Sequence, residues 1–434
     1  MSFTRTLRAV GGAVVAGALL FGTASVASAD QIRHDQWPLR SFGADDIWKV
    51  STGKGVTVAV IDDPVDGSHP DLKGNVLPGK SFLDGGTADS PDGKNEHGTA
   101  MASLIAGHGH GPGGSDGVKG LAPDAKILPV GIDLGDKEES YAEPLRYAVD
   151  HGAKVVNMSF EDFGDTSPAE KAAVDYARKH DVLLVASSGN SGSSIPHLPS
   201  SVPGVLAVGA VDIDLKVWKF SSYGPHIKLL APGLHIRSAG VENPYRLANG
   251  TSDSAAYVSA AAALLRSKFP DLTAGQIANR LVKTAGLPDD MKGKKLPDPH
   301  YGYGFIRPSK ALTANIPAGS KNGPFPPLKD GSSKASGDGK DAQQATESDK
   351  GMSTGAIIGI VGGVVGLLMV VLIVVLVVKK KSGRNGPPPG GPGGFGGPGG
   401  PGGFVPHPPN SGHQQQPGAP GAHPSAPPTQ PPGR

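Results

Sequence analysis

Residues 56–62 read Val56-Thr57-Val58-Ala59-Val60-Ile61-Asp62. The run is apolar apart from Thr57 and β-branched apart from Ala59 until it ends on a carboxylate, which suits a strand buried on both faces. Lys126–Val130, Val155–Met158, Val182–Ala186 and Val205–Val208 read in the same way. Helical patterns lie between and after them, at His97–Ala106, Tyr141–His151, Pro168–His180, Ser252–Lys268 and Thr273–Thr284. Strand and helix in alternation predict the α/β class, an open, mostly parallel sheet flanked by helices and joined by right-handed crossovers. Reactive groups in such sheets gather beyond the carboxyl ends of the strands. Asp62 follows its strand at once, Ser159 follows another, and Asn190 lies a few residues past a third.

Outside this block the composition changes. Residues 1–29 carry Arg5 and Arg8, a short apolar run from Val10 to Phe21, and Ala27-Ser28-Ala29, the layout of a secretory signal peptide. Residues 30–52 form an N-terminal arm, with Trp37 and Trp48 as expected anchors, and the main domain is expected over 53–312. Residues 313–354 are rich in Gly, Ser, Lys and Asp, a flexible linker. Residues 355–378 contain no charge; at ~1.5 Å per helical residue they are long enough for a hydrocarbon core of ~30 Å. Lys379, Lys380, Lys381 and Arg384 follow, and by the positive-inside rule they mark the cytoplasmic side. Residues 379–434 then form a basic stop and a Pro- and Gly-rich tail without a core. The expected placement is a single-pass cell-membrane protein with its main domain extracytoplasmic and its tail cytoplasmic.

The net charge of +2 argues against a nucleic-acid partner. Cysteine is absent, which excludes thiol chemistry and Cys-ligated zinc and leaves the exported domain to be held by its core alone. No repeats or aromatic-rich patches suggest a cell-wall binding module. His108 and His110 read as part of a solvent loop rather than a metal site, and Gly355, Gly359 and Gly363 give a small-xxx-small spacing that would let another membrane helix approach.

Asp62, His97 and Ser252 come in the order acid, base, nucleophile. A serine hydroxyl is a weak nucleophile until an imidazole takes its proton, and the imidazole needs an acid to fix its tautomer. Ser252 opens an alanine-rich helix whose free N–H groups suit a developing oxyanion, although a lone Gly-Thr-Ser reads first as a helix cap. His97 also opens a helix. Each residue alone has an ordinary structural role, but their joint occurrence favours acyl transfer on a serine.

Together with Gly120-Leu121-Ala122-Pro123, Asn157-Met158-Ser159, Ser188-Gly189-Asn190, Phe220-Ser221-Ser222-Tyr223-Gly224, Ala231-Pro232-Gly233 and Gly302-Tyr303-Gly304, these residues resemble the subtilisin-like serine proteases, the subtilases, over about residues 40–312. The resemblance implies a serine endopeptidase with Asp62, His97 and Ser252 as its triad and Asn190 as the oxyanion-hole side chain. It places Ser159, Phe160, Glu161 and Gly189 in the substrate-binding region. The expected partner is a protein or peptide substrate; no metal or cofactor is expected, with structural calcium left open. Signal peptide, short arm, protease domain, tether and single helix further resemble the mycosins, membrane-anchored subtilases associated with type VII secretion, whose membrane components would be partners. Mycosins with disulfides differ from this cysteine-free chain.

Departures from the subtilase pattern bear on activity. Asp63-Pro64 stands where a hydroxyl residue and glycine are usual, and a carboxylate facing Asp62 would raise one pKa and weaken the hold on His97. Asp253 follows the nucleophile where an apolar residue is usual, and an anion there opposes an oxyanion. Glu161 replaces a glycine; Glu161 and Asp162 read first as surface-loop carboxylates, with a narrowed pocket or a preference for basic substrates as the alternative. Asp63 and Asp253 therefore keep a second expectation open, a weakly active or inactive subtilase-fold component of a secretion complex.

Overall fold

The computed structural model describes residues 31–328 except 84, 92, 94 and 135–139. The chain divides into two units, Met1–Ala335 and Ser336–Arg434, and every described residue belongs to the first. The expected signal peptide and the apolar segment at 355–378 lie outside the described residues. Among those residues no helix is long and apolar enough to cross a membrane.

The strands are β1 (Thr57–Asp62), β2 (Lys80–Ser81), β3 (His108–His110), β4 (Asp116–Lys119), β5 (Lys126–Gly131), β6 (Val155–Met158), β7 (Leu183–Ser187), β8 (Val205–Val211), β9 (Ile227–Pro232), β10 (Ile236–Ala239) and β11 (Tyr245–Ala248). Seven of them form one sheet in the order β2-β5-β1-β6-β7-β8-β9, and all its pairs are parallel. The expected open parallel sheet is what the chain forms. β3–β4 and β10–β11 are antiparallel ribbons.

The apolar run at 56–61 shows why the sheet is buried on both sides. Side chains alternate between faces along a strand, so Val58 and Val60 enter one hydrophobic core while Ala59 and Ile61 enter the other. β7 divides likewise, Leu183 and Val185 on one face and Leu184 and Ala186 on the opposite one. Helices His97–Ala106, Thr251–Lys268 and Ala274–Thr284 contribute to the first core, and Ala142–Asp150 and Pro168–Lys179 to the second. A fully buried Leu or Val is worth ~1.5–3 kcal/mol relative to exposure, so two such cores supply the cohesion that disulfides would otherwise add.

Helix boundaries follow local chemistry. Ser167 and Thr273 cap Pro168–Lys179 and Ala274–Thr284 with reciprocal capping boxes to Glu170 and Gln276. Thr251–Lys268 is buried continuously from Thr251 to Arg266, and its alanines let it lie close to the sheet and to its neighbours.

The arm is held as its tryptophans suggest. The Trp37 indole N–H donates to the Leu234 carbonyl at 2.9 Å, and that of Trp48 to the Leu121 carbonyl at 3.0 Å. Gln36 adds a two-way bridge to the Lys119 backbone, at 2.8 and 2.9 Å. The reading of His108 and His110 as a solvent loop is corrected: both lie in β3, and His110 Nδ1 is 2.6 Å from the buried Asp71 carboxylate. A glycine-rich sequence hides this strand because its pairing with β4 relies on backbone rather than on an apolar pattern.

Candidate active site

Strand order places the crevice. β1 is flanked by β5 on one side and β6 on the other, and the chain builds the sheet outward from it in both directions. Loops leaving adjacent strands at such a switch point diverge and leave a cleft beyond their carboxyl ends. A cavity of about 270 Å³ opens there, lined by Ile132, Asp133 and Leu134 after β5, Ser159 to Asp162 after β6, Asn190 after β7, and His97 and Ser252.

Asp62 ends β1 with its carboxylate fully buried. Its Oδ1 lies 2.7 Å from His97 Nδ1 and accepts the Asp63 backbone N–H at 2.9 Å. Oδ2 has no hydrogen-bond partner among the described residues, where the subtilase resemblance would lead one to expect a hydroxyl from residue 63. The His97 helix can approach this corner because residue 98 is glycine: a Cβ there would stand 1.9 Å from the Asp63 carbonyl oxygen. With Nδ1–H committed to Asp62, the neutral imidazole presents Nε2 as its free base.

Ser252 is the second residue of its helix, with Gly250 at the cap position, so the serine does not act as the cap. The residue is 7% exposed; its hydroxyl donates to the Ser159 carbonyl at 3.0 Å, and no hydrogen bond to His97 forms among the described residues. Ser159 Oγ in turn donates to Asn157 Oδ1 at 2.9 Å and approaches the Ser252 carbonyl at 3.1 Å. Ser252 and His97 nevertheless face the same cavity, and rotation about the serine Cα–Cβ bond redirects Oγ.

Asn190 is oriented through its oxygen. Oδ1 accepts both the Thr251 N–H at 2.9 Å and the Thr251 hydroxyl at 3.0 Å, which turns Nδ2 away from the helix. Nδ2 donates to Glu161 Oε1 at 3.4 Å, and the Asn190 backbone N–H donates to the same oxygen at 3.1 Å. The Gly189 N–H meets the Thr251 hydroxyl at 3.2 Å. Glu161 Oε2 stands 3.2 Å from Nδ1 of the buried His197, off the hydrogen-bond direction, since that nitrogen has no hydrogen-bond partner. Glu161 is thus corrected from a surface-loop carboxylate to a cavity-wall residue. Nothing local in Ser159-Phe160-Glu161 announces its grip on a loop about thirty residues away.

Two additional carboxyls bias the site. Burial, reinforced by the charge of Asp62, lifts the Asp63 pKa to about 6, with His97 opposing the rise. Burial lifts Asp253 to about 6 as well, against the pull of Arg246 and His97. For His97, burial disfavours the cation, but the charge and hydrogen bond of Asp62 together with the charge of Asp253 outweigh it and raise the pKa. Among the described residues no group of three or more His, Asp or Glu could hold a metal ion. This arrangement can do proton transfer and nucleophilic attack at one carbonyl.

The Subtilase family model matches residues 53–304. Fervidolysin of Fervidobacterium pennivorans is 34% identical over 327 residues, 66% of this chain and 45% of fervidolysin, so the chain spans less than half of that relative. The crystal structure of MycP1 from Mycobacterium smegmatis superposes with a TM-score of 0.58 at 30% identity, covering 67% of this chain and 87% of MycP1. A structure of MycP1 from the ESX-1 type VII secretion system matches with the same TM-score of 0.58 and 30% identity, over 67% of this chain and 89% of that one.

Proposed function

Because this chain belongs to the subtilase family, we propose that it is a membrane-anchored, extracytoplasmic serine endopeptidase linked to type VII secretion. The observation that carries the catalytic reading is the 2.7 Å contact between Asp62 and His97 on the cavity that also holds Ser252 and Asn190. Ser252 Oγ attacks the peptide carbonyl as His97 Nε2 takes its proton. The resulting oxyanion is held by the Asn190 side-chain N–H and the Ser252 backbone N–H. His97 then gives the proton to the departing amine, leaving an acyl-serine. Water attacks this ester with His97 again as the base, which restores Ser252 and releases the acid product. Asp62 keeps the imidazole in the required tautomer and stabilises its protonated form.

The anchoring is supported by the signal-like residues 1–29 and by the uncharged segment 355–378 followed by Lys379, Lys380 and Lys381. The secretion link is supported by the likeness to MycP1. A fluorophosphonate probe tests the enzymatic core: wild-type protein should label, and Ser252→Ala should not. Folded wild-type protein that fails to label overturns the reading.

A second reading is favoured by one observation, the Ser252 hydroxyl bound to the Ser159 carbonyl with the buried Asp253 beside it. In that reading the domain is a structural component of a secretion complex. Complementation separates the two, since full restoration of secretion by Ser252→Ala supports the structural role.

A further inference from the structure

We propose that the cavity beside Ser252 selects a cationic side chain, lysine or arginine, on the residue that precedes the cleaved bond, with Glu161 as its counter-charge. The inference rests on the endopeptidase reading and adds the substrate class to it.

The carbonyl that Ser252 attacks is bonded directly to the Cα of the acyl residue. His97 must face the departing amine, so the acyl side chain takes the part of the cavity away from His97, toward Asn190 and Glu161. On that side, beyond β6, Phe160 is apolar and is steadied by the Tyr141 ring at a centroid distance of 6.0 Å. Glu161 and Asp162 beside it are acidic, and no lysine or arginine lines the cavity among the described residues. An apolar ring next to carboxylates fits a side chain with a methylene stem and a charged tip.

Glu161 is held in place from the Asn190 side. Its Oε1 accepts two donors from Asn190, while Oε2 takes no hydrogen bond among the described residues and has His197 Nδ1 as its ion-pair neighbour at 3.2 Å. The side chain retains 27% exposure, so an incoming ammonium or guanidinium can reach it without displacing Asn190. Asp162 is turned toward its own loop, where one oxygen accepts the Phe163 N–H at 2.6 Å.

The test compares fluorogenic peptides that differ only in the residue before the scissile bond, Arg or Lys against Leu or Phe. Wild type should favour the cationic peptides by about tenfold or more in kcat/KM, about 1.4 kcal/mol. In Glu161→Gln that ratio should fall toward one; because it is a ratio, any general loss from disturbing Asn190 cancels. A wild-type preference for Leu or Phe, or a ratio unchanged in Glu161→Gln, overturns the proposal. Calorimetry of benzamidine binding to Ser252→Ala protein gives a readout without catalysis. Binding that weakens about tenfold on adding Glu161→Gln supports the cation site even in a chain that cleaves nothing. Absence of benzamidine binding to folded Ser252→Ala protein, when the wild type labels with fluorophosphonate, sinks the cation site and leaves the endopeptidase reading standing.

Discussion

The Asp62–His97 half of the cleft and its Ser252–Asn190 half are held together in different ways. Asp62 and His97 meet at 2.7 Å, one on the end of a buried strand and the other at the head of a buried helix. A buried carboxylate without a partner is costly, so charge commits each of these groups to the other. Ser252 and Asn190 are instead engaged by the Ser159 carbonyl and by Glu161, at 3.0 and 3.4 Å. Those contacts are neutral or long, and a bound substrate can exchange them at little cost. In the proposed mechanism His97 is therefore preset, whereas Ser252 and Asn190 take up working positions when a substrate carbonyl arrives.

This contrast can be broken most severely at Asp62. Asp62→Asn should lower kcat/KM by about 10⁴-fold, the size seen for a triad acid whose replacement leaves histidine in the wrong tautomer. A loss of less than about tenfold in a peptide assay would mean that the 2.7 Å pair is structural. On the other half, Asn190→Ala should cost about 10²–10³ in kcat, the range found on removing an oxyanion-hole amide from a subtilisin. Its KM should move little, because the amide is recruited at the transition state.

Asp253 gives the smallest effect and sharpens the comparison through pH. Its charge raises the affinity of His97 for protons, so Asp253→Asn should shift the acid limb of the kcat/KM profile to lower pH. Stability should respond as well. The folded carboxyl keeps its proton to about pH 6, against 3.8 for an ordinary aspartate. Folding consequently takes up a proton between these values, and stability declines as pH rises through the window and stays lowered above it. The shift corresponds to on the order of 3 kcal/mol. Asp253→Asn should therefore raise Tm most at pH 7 and hardly at pH 4; an equal gain at both would remove the buried charge as the cause.

Much of the sheet was legible because β1, β5, β6, β7 and β8 are continuous apolar runs. β9 escaped because Lys228 interrupts it, and β10–β11 escaped because half-exposed residues such as Arg237 and Arg246 dilute the pattern. Helix starts shift by a residue where caps are weak: Tyr141 precedes its helix rather than opening it. Of the residues singled out through short motifs in chain order, His97, Ser159, Phe160, Glu161, Asn190 and Ser252 line one cavity, and Asp62 reaches it through His97. The resting partners of Ser252 and Asn190 were not, since a side chain meeting a carbonyl or carboxylate remote in sequence leaves no periodic trace. Whether Asp63 faces inward could be read only from structure, where burial beside Asp62 sets its behaviour.

The helix that begins at Thr251 has a consequence beyond geometry. Its buried stretch from Thr251 to Arg266 packs against the strands of the main sheet and the His97–Ala106 helix, so Ser252 is carried by the interior of the domain. Surface loops can fray and reclose without disturbing it, whereas exposing its backbone requires the sheet to open. Amide protons along this helix should be among the last to exchange with solvent, and loss of the reactive serine on heating should coincide with global unfolding.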